Sequence, residues 1–140
     1  MDHVAIMKKS WNMIPKIVSG EKSIESRWYK TKRLPWGKIS PGDTVYFKNS
    51  GEPITAKAIV SKIFQFEIKD TAHAEKIIAK YGKNICLAEP DPNSWKSVPK
   101  YCILISLCGG KTIKPFFIDK KGFGMSTAWI TVNSISKIKK

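Results

Sequence analysis

Turn signals recur through the middle of this chain at spacings too short for helical crossovers. Ser40-Pro41-Gly42-Asp43 is a tight turn in which Pro presets the first central dihedral and Gly accepts a positive one. It feeds a strand expected from Thr44 to Lys48, and Asn49-Ser50-Gly51-Glu52-Pro53 then turns the chain into a long strand from Ile54 to about Glu67. Strands joined this way pair with antiparallel neighbours, because a parallel partner needs a crossover of a dozen or more residues. A doubly wound layer is therefore excluded, and a small, mostly antiparallel barrel with helices outside is the expected α+β architecture.

Further elements follow from local pattern. His3 to Met7 reads as a first strand. Ser10 is the expected N-cap of a helix to about Ser19, stopped by Gly20, with Trp11, Ile14, Ile17 and Val18 on one face. Pro15 is accommodated if the helix starts nearer Asn12. Ser23 to Tyr29 is a strand with Ile24 inward and Ser23, Glu25 and Arg27 on the opposite face. A helix capped by Asp70 or Thr71 should run to Tyr81 and end at Gly82. Strands are expected at Tyr101–Leu107, Lys114–Ile118 and Trp129–Val132, and one helical turn at Ser94–Lys96. With 140 residues and 42% hydrophobic content, one domain spanning 1–140 can bury its own core.

Charge narrows the partners. Twenty-five basic residues against 11 acidic ones give +14, which favours a polyanion. Only Arg27 and Arg33 are arginines, and both fall between Lys22 and Lys38, together with Lys30, Lys32, Trp28, Tyr29 and Trp36. Guanidinium forks beside flat aromatic faces suit phosphates and bases. Arg27, Lys30, Lys32, Arg33 and Lys38 are the candidate phosphate contacts; Trp28 and Trp36 are the candidate stacking faces, with Trp11 and Trp129 assigned to the core. Lys22 and Glu25 can read or position a nucleotide, act as acid and base, or form an ion pair that fixes the helix–strand junction.

Other chemistries find no support. The longest apolar run, Tyr101 to Cys108, is far short of a membrane span, and no basic amphipathic helix suggests a membrane surface. Cys86, Cys102 and Cys108 cannot all pair and read as reduced thiols, giving a cytoplasmic expectation. Neither they nor His3 and His73 have metal-ligand spacing, so no metal or cofactor is implied. Gly109-Gly110-Lys111-Thr112 lacks the earlier glycine of a phosphate loop, since that position is Ile105. Gly122-Phe123-Gly124 reads as a flexible connection.

Gly20-x-Lys22-Ser23-x-Glu25-x-Arg27, followed by Pro41-Gly42-Asp43-Thr44-Val45-Tyr46-Phe47, resembles the paired motifs of an ASCH domain of the PUA-like superfamily. The match covers residues 3 to about 67. The resemblance implies a β-barrel with a cleft beside the motif strand and binding of RNA or single-stranded nucleic acid. It also implies hydrolase activity as an alternative, because some members are proposed nucleases and some bacterial members deacylate N4-acetylcytidine. In those deacylases a Lys, a Thr and a later Glu carry the reaction. The lysine matches Lys22, but the threonine position holds Glu25 and the later acid falls on Ile77.

Overall fold

The computed structural model describes residues 1–86, 97–124 and 127–140. Its elements are β1 (Asp2–Met7), α1 (Met13–Ser19), β2 (Ile24–Tyr29), β3 (Thr44–Asn49), β4 (Ile54–Glu67), α2 (Thr71–Ile85), β5 (Tyr101–Phe116) and β6 (Trp129–Val132). One six-stranded sheet has the order β2-β5-β4-β3-β1-β6. Only the β1–β3 pair is parallel; the other four are antiparallel. Register shifts between β4 and β5 at Ile54/Ala56, Lys57/Ile59 and Val60/Lys62 bend these long strands, as bulges do. The sheet thereby curls into an α+β half-barrel, its outer strands being β2 and β6.

Alternation along β5 distributes the core. Ile103 and Ile105 point inside the curl, where Val45, Phe47, Ala56, Ala58 and Val60 meet Met13, Ile14 and Ile17 of α1. Cys102 and Leu104 point outward, where Ile77 and Ile85 of α2 cover them together with Ile24. Burial on both faces is why this stretch reads as an unbroken apolar run. A third cluster, Val4, Ile54, Ile118 and Ile130, lies under the C-terminal segment. Among the described residues, no helix is long and apolar enough to cross a membrane.

Several local expectations need correction. Lys9–Trp11 is a separate 3-10 turn, Asn12 takes a left-handed φ of 53°, and the α-helix starts at Met13, so Ser10 is not its cap. Trp11 is consequently 36% exposed rather than core. Helix α2 is capped by Asp70, whose carboxylate accepts the His73 N–H at 2.8 Å, but it passes through Gly82 to Ile85. The strands expected at Tyr101–Leu107 and Lys114–Ile118 are one strand, β5, with Gly109 at φ +63° inside it. The turn at Ser94–Lys96, together with Trp95, lies outside the described residues.

Gly110 has a specific reason to be glycine: a Cβ there would lie 2.6 Å from the Ile17 carbonyl oxygen. Gly110→Ala must push α1 off β5 and disturb Ile17, which is 3% exposed. We expect about 1–3 kcal/mol of destabilisation, read as a lower urea midpoint. An unchanged midpoint would contradict this close docking.

Candidate nucleic-acid site

Helix α1 ends at Gly20, at φ 86°, and its amide donates to the Ile17 carbonyl at 3.2 Å. The motif is then held by three elements before β2 begins. The Lys22 N–H bonds Lys16 O at 2.9 Å, the Ser23 N–H bonds Asn84 O at 3.0 Å, and the Leu107 N–H bonds Ser23 O at 2.8 Å. This packing leaves Lys22 only 3% exposed. Its Nζ donates to Ile24 O at 2.9 Å and to Ile85 O, and lies 3.8 Å from Glu25 Oε1. Ile85 O belongs to the last turn of α2, where unpaired carbonyls favour a cation. Burial lowers the Lys22 pKa, with the Glu25 carboxylate opposing that shift.

Glu25 and Arg27 share a strand face as the alternation predicts, but that face looks into the half-barrel while Ile24 faces α2. Glu25 Oε1 accepts the Ser26 N–H at 2.9 Å; Oε2 sits 3.8 Å from the Arg27 guanidinium and is buried without a hydrogen-bond partner. The Arg27 guanidinium also donates to Ala128 O at 3.3 Å and to Met7 Sδ at 3.4 Å, and its carbon lies 5.1 Å from the Trp129 ring centroid. Arg27 therefore reaches from β2 to the start of β6, joining the two outer strands of the sheet.

The rest of the basic–aromatic segment lies at the other end of β2, about 17 Å along a five-step strand path. Lys30, Lys32, Arg33 and Lys38 are exposed. The loop is held by Trp36 N–H to Arg33 O at 2.8 Å, Lys38 N–H to Pro35 O at 2.9 Å, and Gly37 N–H to Gln65 Oε1 at 2.7 Å. Half-buried Trp36 meets Tyr101 edge-on at 5.1 Å. Lys32 Nζ lies 6.0 Å from the Trp36 centroid and 5.8 Å from that of Tyr101; the Arg33 guanidinium lies 6.0 Å from that of Tyr29. Trp28 instead packs on the α2 side and donates its indole N–H to Ser26 Oγ at 3.1 Å. The residues nominated from sequence thus form two groups: a buried cluster of Lys22, Glu25 and Arg27, and an exposed one around Trp36.

The chain matches no protein-family model and no curated protein. It does match solved structures. The ASCH protein from Zymomonas mobilis superposes with TM-score 0.69 over 99% of this chain and 96% of that chain, at 15% identity. A tyrosine-to-phenylalanine variant of that protein gives 0.70 over 97% and 93%, at 16% identity. The fold is that of an ASCH domain.

Within this ASCH fold the second motif half has a mechanical explanation that sequence reasoning missed. Asp43 Oδ2 accepts the Ser40 N–H at 3.0 Å, closing the turn, and lies 2.8 Å from His3 Nε2. His3 is fully buried in β1. The Trp129 indole N–H at 3.2 Å and the Thr131 hydroxyl at 3.0 Å are directed at its Nδ1. An indole nitrogen can only donate, so Nδ1 is the acceptor and Nε2 carries the proton toward Asp43. The sequence signal for this network was a lone histidine in an otherwise apolar strand.

Proposed function

We propose that this protein binds RNA or another single-stranded nucleic acid through the loop at 30–38, with a cytoplasmic location as the corollary. The observation that carries the reading is the Trp36–Tyr101 pair with Lys32 over both rings and Arg33 over neighbouring Tyr29. Aromatic faces stack bases without demanding a sequence, and the surrounding cations hold the backbone. Lys30 and Lys38 extend the phosphate track, Lys22 and Glu25 hold the strand that displays it, and Tyr101 joins the stacking surface. The likeness in fold to ASCH proteins agrees with this reading.

Trp36→Ala should weaken binding of a short single-stranded RNA by about 5–150-fold, the equivalent of one base stack worth about 1–3 kcal/mol. The logarithm of the wild-type affinity should fall linearly with the logarithm of salt concentration, and Lys32→Ala and Arg33→Ala should each flatten that slope by about 0.7. Fluorescence anisotropy at several salt concentrations checks both. Salt-independent binding, or full affinity in Trp36→Ala, would overturn the reading.

A second reading, a hydrolase of RNA or of an N4-acetylcytidine-type amide, is favoured by Glu25 Oε2, left without a hydrogen-bond partner 3.8 Å from the Arg27 guanidinium, while Oε1 of the same carboxylate lies 3.8 Å from buried Lys22. In it Glu25 would accept a proton from an attacking water while Lys22 stabilises developing negative charge. Incubation with labelled RNA and with acetylated cytidine tests it: turnover lost in a folded Lys22→Met variant supports it, and full turnover in that variant rejects it.

A further inference from the structure

Two lysines face each other across the middle of the sheet. Lys57 of β4 is registered directly opposite Lys111 of β5, and on its other side opposite Tyr46 of β3. All three lie on the outside of the curl. Lys57 alternates with Ala56 and Ala58, and Tyr46 with Val45 and Phe47, and those residues are buried inside. Lys111 shares the face of its register partner and follows Gly110, where a Cβ would meet Ile17 of α1 on the inside. Among the described residues neither lysine pairs with a carboxylate. Like charges directly opposite on one sheet face are destabilising, whereas opposite charges there stabilise. The folded chain alone gains nothing from this pair.

The pair sits in a strip of the outer face that no described element covers. Helix α2 packs over Cys102 and Leu104, and the C-terminal segment lies over Val4 and Ile54. Between them Ile59 is 38% exposed, and its register partner Cys108 is exposed as well. Tyr46 meets Phe116 edge-on at 6.0 Å, and Lys139 Nζ lies 4.8 Å from the Phe116 centroid, adding a third cation at one end. Strand β4 joins this strip to the loop at 30–38. Its Gln65 side chain accepts the Gly37 N–H at 2.7 Å, and exposed Lys62 lies on the way, its Nζ 5.8 Å from the Phe64 centroid. From Gln65 to Lys57 is about 27 Å of extended strand. A second copy of the chain is a poor occupant, because a twofold contact sets a patch against itself and would bring like charges together.

We propose that Lys57, Lys111 and Lys139, with Lys62 leading to them, bind the phosphate backbone of a single-stranded nucleic acid that continues beyond the loop at 30–38. The proposal rests on the reading of that loop and lengthens its footprint. Phosphates supply the counter-charge that the sheet lacks, and Ile59 and Tyr46 offer apolar surface to the sugars between them. At about 3.4 Å per stacked nucleotide, about 27 Å corresponds to about eight nucleotides.

Fluorescence anisotropy with RNAs of about five and about twenty nucleotides tests the strip, since the shorter one fills the loop but falls short of Lys57. On the longer RNA, Lys57→Ala and Lys111→Ala should each flatten the slope of log affinity against log salt by about 0.7; on the shorter one they should leave affinity unchanged. Trp36→Ala should weaken both RNAs. Lys57→Glu should raise the urea midpoint of the free protein, by turning a like-charge pair into an opposite one, while weakening the longer RNA further than Lys57→Ala does. Unchanged slopes on the longer RNA, with Trp36→Ala still weakening it, overturn the strip and leave the loop standing. Equal losses on both RNAs overturn it too, because the shorter one cannot span the distance. A lowered midpoint in Lys57→Glu contradicts the charge conflict from which the strip is inferred. Wild-type protein that binds neither RNA overturns the loop reading and the strip with it.

Discussion

Glu25→Ala is expected to destabilise the protein by about 3–5 kcal/mol, the range for stripping one partner from a buried ion cluster. Set against a typical domain stability of about 5–15 kcal/mol, that brings the fold close to failure. The carboxylate lies between two cations that cannot readily reach water: Lys22 and Arg27 have side chains 2% and 12% exposed. Without it both charges stay inside, and the Ser26 N–H loses its acceptor. The cost therefore comes from the groups left behind and not from the contacts removed. Accordingly, Lys22→Met combined with Glu25→Leu should recover only the part of the stability that stranded Lys22 costs, because Arg27 and the Ser26 N–H still lack their carboxylate. Urea unfolding of the single and double variants closes a double-mutant cycle. A Glu25→Ala loss below about 1 kcal/mol would show that the cluster is solvated in practice.

Acid should weaken the fold from near neutrality downward. Burial lowers the His3 pKa against the opposing pull of Asp43, so the folded state resists a proton that the unfolded chain accepts at about 6.5. That group's contribution is complete above 6.5 and is lost as the pH falls below it, at about 1.4 kcal/mol per pH unit until His3 itself protonates in the fold. Asp43 adds to this in the same direction. Burial would raise its pKa, but the hydrogen bonds from His3 and the Ser40 amide outweigh that and hold it low. Its contribution is present above the ordinary carboxylate range and disappears as acid protonates it in the fold. Denaturant midpoints at pH 7.5 and 5.5, with nitrogen NMR of the His3 ring, check the account. Equal stability at the two pH values, or a ring protonated on Nδ1, would refute it.

Legibility in the sequence followed the range of the interactions. Strands β3, β4 and β6 were readable because Pro-Gly and Ser-Gly turns and two-residue alternation act over a few residues. Helix α2 was cut short at Gly82 because its last carbonyls find partners far along the chain: Asn84 O takes the Ser23 N–H and Ile85 O takes Lys22 Nζ. No local pattern carries that information. Gly109-Gly110 read as a break for the opposite reason, since one glycine serves a register irregularity and the other the approach of α1. For the site, alternation grouped Glu25 with Arg27 correctly. It is silent on what covers a strand face, so the barrel interior behind them, and with it the separation of Lys22 from Trp36, emerged only in three dimensions.

The parallel pairing of β1 bears on how the molecule is born. Asp2–Met7 leaves the ribosome before the other strands of this sheet, yet its neighbours are Thr44–Asn49 and Trp129–Val132. During most of synthesis the segment Val4-Ala5-Ile6-Met7 therefore waits with at least one side of its backbone unpaired, a hydrophobic edge open to other nascent chains. Long-range closure of this kind slows folding. The His3 network inherits the same delay, because Asp43 arrives early while Trp129 and Thr131 arrive almost last. A ribosome stalled before Trp129 would hold a chain that has its basic loop but lacks the lock on its first strand.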